Sequence, residues 1–450
     1  MTLMPKREYL ALLIGDILVF IAALWLTLAL RYLQPPSPEL FRLHFVPFSI
    51  LFIVWIFVFF LAGLYSRHTP LFRSRLFSTI MYAQIINILI AALFFFLTPV
   101  FGIAPKTNLL LYLVVSFVLI FLWRVSLYPR VRAGRKIRGV LIASGPDAKR
   151  LADEVKGGRY EFIFDHVIDT KEAPSHEVIQ RACRLAVDAG VSFIVVDLSD
   201  RAVSSALPII YDAAFHKERF ALLNAVDLYQ EVFEREPLSL INYEWVLSNI
   251  GTSRLYDVLK RALDFVVAAL LGIVSLVFYP FVIAAIKLDD GGSIFITQSR
   301  VGRYQEPIKI VKFRSMSGND EGRYGKSGKS TLKVTRVGKW IRLLRIDELP
   351  QLWNVLRGDL SLVGPRPELP AIASVYSAKI PYYNARYLVA PGLTGWAQLK
   401  HDRDPHHGHD ISETKEKLSF DLYYLKHRSF LLDLYIIFQT VRIVLSARGS

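Results

Sequence analysis

Phe265-Val266-Val267-Ala268-Ala269-Leu270-Leu271-Gly272-Ile273-Val274-Ser275-Leu276-Val277-Phe278-Tyr279-Pro280-Phe281-Val282-Ile283-Ala284-Ala285-Ile286 is the run that decides how this chain is built. It carries no charge and is long enough to cross a bilayer, which takes about 20 helical residues. Its flanks argue against a crossing. Lys260 and Arg261 precede it and Lys287 follows it, so both ends carry the basic residues that mark the cytoplasmic side. The chain beyond it is rich in Lys, Arg, Asp and Glu and reads as a catalytic surface. Pro280 lies inside the run and cannot donate a backbone hydrogen bond. A helix that bends at Pro280 and returns to its face of origin, over about residues 256–287, satisfies all of this. An ordinary crossing helix is the alternative.

Toward the N-terminus lie four more apolar stretches, Tyr9–Leu30, Val46–Leu64, Ile80–Leu97 and Leu109–Leu127, each near the length of a transmembrane helix. Lys6 and Arg7 stand before the first, and Arg67, Arg73 and Arg75 between the second and third. Arg130, Arg132, Arg135, Lys136 and Arg138 follow the fourth. This pattern puts both ends of a four-helix transmembrane domain, residues 1–130, in the cytoplasm. Arg31 and Arg42 in the first outer loop weaken the bias without reversing it. The first run lacks a small-residue cleavage site and is expected to anchor. Asp16 lies within it, where a lone carboxylate is costly, so it should pair with a polar group such as Asn87 or face the bundle interior.

Composition agrees. Of the 450 residues, 53% are apolar and 13% aromatic, above the soluble norm of roughly 45–50% apolar. The net charge of +15 suits a nucleic acid, an anionic membrane surface or a phosphorylated substrate, and the apolar segments favour the last two. The lone cysteine, Cys183, permits no internal disulfide.

Residues 131–250 read as a soluble α/β domain. Gly139–Ser144, Phe162–Ile168 and Phe193–Asp197 are strand-like, and Asp147–Val155 and Glu177–Ala189 are helical. Alternation of this kind implies a parallel, Rossmann-like sheet. A dinucleotide site needs three glycines in its first turn, and only Gly145 is present, which favours a scaffold or regulatory domain.

The chemistry lies in residues 251–450. In Ile341–Gly358, Leu349, Leu352, Trp353 and Leu356 recur at helical spacing, Pro350 suits a first turn and Gly358 a helix end. Asp347, as N-cap, and Glu348 then open the helix, where its dipole favours anions. Adjacent helical side chains point about 100° apart, so one carboxylate can attack while the other holds a cation. Arg366 stands between Pro365 and Pro367, which present its guanidinium on a stiffened backbone. Ile308–Arg314 alternates apolar and basic residues, including Lys312 and Arg314, as a strand with a cationic face would. Arg336, Arg342 and Arg345 add charge before Asp347. Two carboxylates among these cations suit a diphosphate with Mg²⁺.

Five segments, in order, closely resemble the bacterial sugar transferases, the monotopic phosphoglycosyl transferases that start surface-polysaccharide assembly. They are Gln298-x-Arg300-x-Gly302, Lys312–Met316, Asp347–Leu352, Gly358–Pro367 and Pro391–Gln398. The resemblance covers about Arg254–Leu445, and the preceding domains are similar to those of long-form members. It implies transfer of a hexose-1-phosphate from a UDP-sugar to a polyprenyl phosphate with release of UMP, at the bacterial inner membrane with the catalytic domain cytoplasmic. It further implies Asp347 as nucleophile, Glu348 as the Mg²⁺-binding acid, and Arg342, Arg366, Lys312 and Arg314 at the phosphates. Pro280 matches the break of a re-entrant helix. The expected partners are UDP-sugar, polyprenyl phosphate and the bilayer, with no nucleic acid, and a homodimer is compatible. Leu399-Lys400-His401-Asp402-Arg403 departs from the valine, asparagine, glycine and arginine of many members, which leaves the sugar open.

Two other readings remain at this stage. A membrane-anchored NAD-dependent nucleotide-sugar dehydratase would need an intact glycine fingerprint and a Tyr-x-x-x-Lys pair, for which only Tyr256 and Lys260 have the spacing. A non-enzymatic polysaccharide assembly factor leaves Asp347, Glu348 and Arg366 unexplained. His406, His407 and His409 with Asp402, Asp404 and Asp410 could be drawn as a metal site, but Pro405 and Gly408 point to a loop that fixes no ligand spacing.

Overall fold

A computed structural model describes residues 6–65, 73–98, 106–128, 136–157, 160, 162–170, 180, 184, 191–215, 221–249, 251, 254–317, 332–401 and 410–445. Glu177–Ala189 as a helix, Cys183 and the residues of the His-rich loop before Asp410 lie outside them. The chain forms two compact units, Met1–Val232 and Phe233–Ser450.

The first unit opens with four apolar helices that fit a membrane bundle: α1 (Lys6–Tyr32), α2 (Pro38–Leu61), α3 (Arg73–Leu97) and α4 (Lys106–Leu122). One stripe of α1, Leu12, Asp16, Phe20, Leu24 and Leu28, is buried at four-residue spacing. Its other face exposes Leu10, Ile14, Leu18 and Trp25. A helix apolar on both its packed and its exposed side is suited to lipid rather than water. Asp16 does face the interior, but its partner is Arg124 and not Asn87. Arg124 Nε donates to Asp16 Oδ1 at 3.1 Å, its Nη1 to the Leu64 carbonyl at 2.7 Å, and Tyr65 Oη donates to Asp16 Oδ2 at 2.7 Å. A π-helical turn, Trp123–Leu127, carries Arg124. Asn87 bonds Gln84 at 3.1 Å instead.

After the bundle come β1 (Ile137–Ile142), α5 (Pro146–Lys156), β2 (Phe162–Ile168), β3 (Phe193–Val196), α6 (Arg201–Ser205), α7 (Leu207–Phe215), β4 (Ala221–Asn224) and α8 (Ala225–Phe233). The strands form one parallel sheet in the order β2-β1-β3-β4. All four residues of β3 are buried, as strands covered on both faces must be.

The second unit begins with a segment the sequence reading assigns to the α/β domain. Residues 233–249 bond to residues far along the same unit: the Glu236 N–H donates to Ser419 O at 2.9 Å, Trp396 Nε1 to Glu234 O at 2.8 Å, and Tyr382 Oη to Ile241 O at 3.1 Å. Helix α9 (Tyr243–Asn249) ends this segment.

Next come α10 (Arg254–Ser275) and α11 (Tyr279–Asp290), bent by 56° across Leu276–Phe278. The break falls just before Pro280, which sits in the first turn of α11, where its missing N–H has no helical partner to lose. Lys260 bonds Asp264 and Ser361 at 2.6 Å each, and Arg261 donates to the Val355 and Leu356 carbonyls at 2.7 Å each. The apolar helix is thereby hooked onto the catalytic core through ends that need capping.

That core contains the antiparallel pair β5 (Phe295–Val301) and β6 (Pro307–Phe313), then α12 (Arg336–Leu343), α13 (Gln351–Arg357) and β7 (Ser361–Val363). It is completed by α14 (Pro370–Lys379), β8 (Gly392–Thr394), α15 (Trp396–Lys400), α16 (Ile411–His427) and α17 (Phe430–Leu445). Strands β7 and β8 pair in parallel. Gly364 and Gly392 lie where these segments touch: a Cβ on Gly392 would meet Gly364 N at 2.1 Å. Both glycines of those sequence motifs are thus required by backbone contact.

Candidate active site

Gly358 ends α13 in the left-handed conformation, φ 97°, as its position in the sequence predicts. The start of α13 differs from expectation. Asp347 is not its N-cap, because α13 begins at Gln351 and residues 346–348 form a separate 3₁₀ turn. The Glu348 N–H donates to Arg345 O at 3.2 Å and the Leu349 N–H to Ile346 O at 3.1 Å, the three-residue spacing of a turn distinct from α13. Arg345 opens that turn with φ 53°, a strained conformation for a residue with a Cβ. The inward face of α13 also shifts. Leu352 and Val355 are buried, whereas Trp353 is 41% exposed.

Strand β6 delivers Lys312 to the turn. Its Nζ lies 3.4 Å from Glu348 Oε1, and Arg366 Nη2 lies 3.5 Å from the same oxygen. The strand is fixed to α13 by Asn354, which is buried: its Nδ2 donates to Lys309 O at 2.8 Å and its Oδ1 accepts the Val311 N–H at 3.2 Å. Asn354 is absent from the site residues expected from sequence. An amide inside the Asp347–Gly358 segment, flanked by Trp353 and Val355, is the signal by which it could be found.

The two carboxylates are half-buried neighbours whose pKa values are shifted in opposite directions. Burial, and then the charge of Glu348, push the Asp347 carboxyl up to about 6, against the pull of Lys312 and Arg342. Burial also acts to raise Glu348, but Lys312, Arg366 and Arg345 outweigh it and hold the group at about 2. Among the described residues the Asp347 carboxyl makes no hydrogen bond or ion pair to another residue, and only its own backbone N–H bears on it. Divergent environments for adjacent acids mark a division of labour. Glu348 is the fixed anion, and Asp347 is the acid that no neighbouring side chain claims.

Five of the expected charged residues thus act on one or other acid of the pair: Glu348, Lys312 and Arg342 on Asp347, and Lys312, Arg366 and Arg345 on Glu348. Arg314 is placed elsewhere. It is buried and pairs with Asp290 through Nη1 at 2.8 Å, while its Nε donates to the Ser293 carbonyl at 2.7 Å. It closes the turn between α11 and β5. Tyr256 and Lys260 do not form an exposed Tyr-Lys pair: Tyr256 Oη donates to Asp433 at 2.8 Å, and Lys260 is committed to Asp264 and Ser361.

Among the described residues no group of three or more His, Cys, Asp or Glu could hold a metal by protein ligands alone. A Mg²⁺ ion commonly takes one or two carboxylates and completes its shell with substrate phosphates and water. The acidic pair, with cations beside it to receive the remaining phosphate charge, fits that demand.

Residues 255–447 match the family described as bacterial sugar transferase. The chain is 40% identical over 214 residues to the UDP-N-acetylgalactosamine-undecaprenyl-phosphate N-acetylgalactosaminephosphotransferase of Aeromonas hydrophila, covering 46% of this chain and 48% of that one. It is 41% identical over 199 residues to the UDP-glucose:undecaprenyl-phosphate glucose-1-phosphate transferase of Caulobacter vibrioides, covering 43% and 72%. An Escherichia coli protein of the same name is 33% identical over 277 residues, covering 61% and 56%. The match therefore spans about half the length of the Aeromonas relative.

Proposed function

The chain belongs to the bacterial sugar transferase family, and we propose that it moves a hexose-1-phosphate from a UDP-sugar to undecaprenyl phosphate with release of UMP. This is the first membrane step of exopolysaccharide, capsule or O-antigen synthesis. The observation that carries the reading is the Asp347–Glu348 pair, two adjacent acids shifted in opposite directions inside a cluster of Lys312, Arg342, Arg345 and Arg366. The relatives are named for transfer of sugar phosphates to the same lipid phosphate, from donors with different sugars. The reading therefore extends to the UDP-sugar class.

Asp347 is the nucleophile. One of its carboxylate oxygens attacks the β-phosphorus of the UDP-sugar. The bond from that phosphorus to the bridging oxygen breaks, and UMP leaves with the electron pair. An oxygen of undecaprenyl phosphate then attacks the same phosphorus, the aspartyl–phosphorus bond breaks, and the Asp347 carboxylate is restored. A carboxylate is a weak nucleophile unless the repelling diphosphate charge is neutralised. Lys312, Arg342, Arg345 and Arg366 do part of this, and Arg366 offers a planar fork that matches phosphate oxygens. Glu348 would hold Mg²⁺, which supplies further charge neutralisation on the diphosphate. Burial of Asp347 keeps bulk water from competing for the same phosphorus.

The broken helix α10–α11 supports a re-entrant topology, with both arms returning to the cytoplasmic face. Basic residues stand at both ends, and the 56° bend sits at its middle. The chain is then a multi-pass inner-membrane protein with a helical bundle at 1–130, a Rossmann-like domain that follows it as far as Val232, and a catalytic unit from Phe233 onward facing cytoplasmic nucleotide sugars. Membranes carrying the protein should release UMP only when UDP-sugar, undecaprenyl phosphate and Mg²⁺ are all present in multiple-turnover assays. Hydrolysis to UMP that proceeds equally without the lipid would sink the transfer reading.

A further inference from the structure

Arg386 is 2% exposed and makes no hydrogen bond or ion pair to Asp347 or Glu348 among the described residues. Its Nη2 donates to the Arg366 carbonyl at 3.0 Å and lies 2.9 Å from Asp421 Oδ2. Its Nη1 donates to Tyr383 Oη at 2.8 Å and to Glu368 Oε1 at 3.3 Å. Lys417 Nζ donates to the same Glu368 oxygen at 2.6 Å. Two buried cations and two carboxylates are a costly way to hold a fold, because apolar side chains of similar volume commonly do it as well.

What the cluster touches suggests why it is there. Three successive carbonyls of the segment bearing Arg366 are each held: Arg366 O by Arg386, Pro367 O by Arg300 Nη1 at 3.5 Å, and Glu368 O by the Val301 N–H at 2.9 Å. Pro365 and Pro367 have no N–H to offer, so the carbonyls are the main backbone handles on this loop. The side chain of Arg366 leaves the held segment toward Glu348 Oε1, 3.5 Å away.

We infer that Arg386 is a positioning residue for the transfer, fixing through the Arg366 carbonyl the place where the Arg366 guanidinium meets the sugar-nucleotide diphosphate. This rests on the proposed function. Lysine at this position keeps the charge but loses the planar fork, so one ammonium cannot serve Arg366 O, Glu368, Asp421 and Tyr383 in fixed directions.

The test is a double-mutant cycle in the full-length enzyme, reading UMP release. Arg366→Ala should lower kcat/KM about a hundredfold, and Arg386→Lys at least about tenfold, mainly in kcat. The double variant should match Arg366→Ala to within about threefold, because a misplaced guanidinium cannot matter once it is absent. Glu368→Gln, isosteric and less disruptive, should show a smaller loss with the same non-additivity. Multiplying losses in the double variant would overturn the positioning role and leave the transferase reading intact. Near wild-type turnover of Arg366→Ala would remove Arg366 from the diphosphate and overturn the positioning role with it, whereas only an inactive wild-type enzyme would count against the transferase reading. If neither Arg386→Lys nor Glu368→Gln folds, the cluster is a folding staple and the inference fails.

Discussion

Replacing either of two adjacent acids should move stability in opposite directions. Asp347→Asn removes a carboxyl whose value is raised from 3.8 to about 6, a shift of about 2 units. At about 1.4 kcal/mol per unit this is a cost of roughly 3 kcal/mol, reduced to about 1–2 kcal/mol for a half-buried group. The cost is absent below about pH 3.8, where folded and unfolded forms are both protonated, and is full above about pH 6. The Asn variant should therefore be more stable than wild type at pH 7.5, with the advantage fading as the pH falls toward 4. Glu348→Gln removes a carboxylate lowered from 4.5 to about 2 and leaves Lys312 beside a neutral amide. Its contribution is present above about pH 4.5 and is lost as the pH falls toward 2, so this variant should be less stable by about 2 kcal/mol. Relief of Asp347 offsets part of that loss. Melting in detergent at pH 4.5 and 7.5, with chelator and without nucleotide, reads both effects. A gain or loss of 1–2 kcal/mol corresponds to about 2–8 °C in a unit of this size. If both variants shift the same way at pH 7.5, or Asp347→Asn destabilises, the electrostatic account of the pair is wrong.

The first half-reaction, measured as UMP release in single turnover without lipid acceptor, should gain kcat/KM with unit slope through about pH 6 as Asp347 ionises; a limb near pH 4 would remove Asp347 from the nucleophile's place. A cysteine introduced at Ser299 should resist a membrane-impermeant reagent applied from the periplasm and react in inverted vesicles, and the reverse labelling would make α10–α11 a crossing helix. Asp16→Asn leaves Arg124 buried without its anion, so the melting temperature should fall by an amount matching roughly 3–5 kcal/mol; an unchanged melt would mean that water or lipid phosphate reaches Arg124.

Much of this architecture can be read from periodicity and charge, because spans, strands and caps are local properties. Phe162–Ile168 has the same limits in sequence and structure, and Gly358 ends its helix as expected. Errors arise where a side chain is claimed by something distant. The pairing of Asp16 with Arg124 is not legible in sequence, because Arg124 stands 108 positions away and inside an apolar run. Arg314 shares a motif with Lys312, yet Asp290 and Ser293 take it, which alternation along a strand cannot show. Asp347 reads as a helix cap because Pro350 permits a first turn, whereas the chain uses a separate 3₁₀ turn behind a left-handed Arg345. Arg386 and Lys417 carry no local sequence signal, because only the tertiary fold brings them to the Pro365–Glu368 loop.

The central claim is that sugar phosphate passes through Asp347. Purified enzyme given Mg²⁺ and UDP-sugar labelled at the β-phosphate, with no lipid acceptor, should release one UMP per active site in a burst. The label should remain on the peptide containing Asp347 and be discharged when undecaprenyl phosphate is added. Asp347→Asn should show neither burst nor bound label. UMP formation that waits for the lipid, with no label on the protein at any time, would mean direct transfer between substrates and would contradict the account.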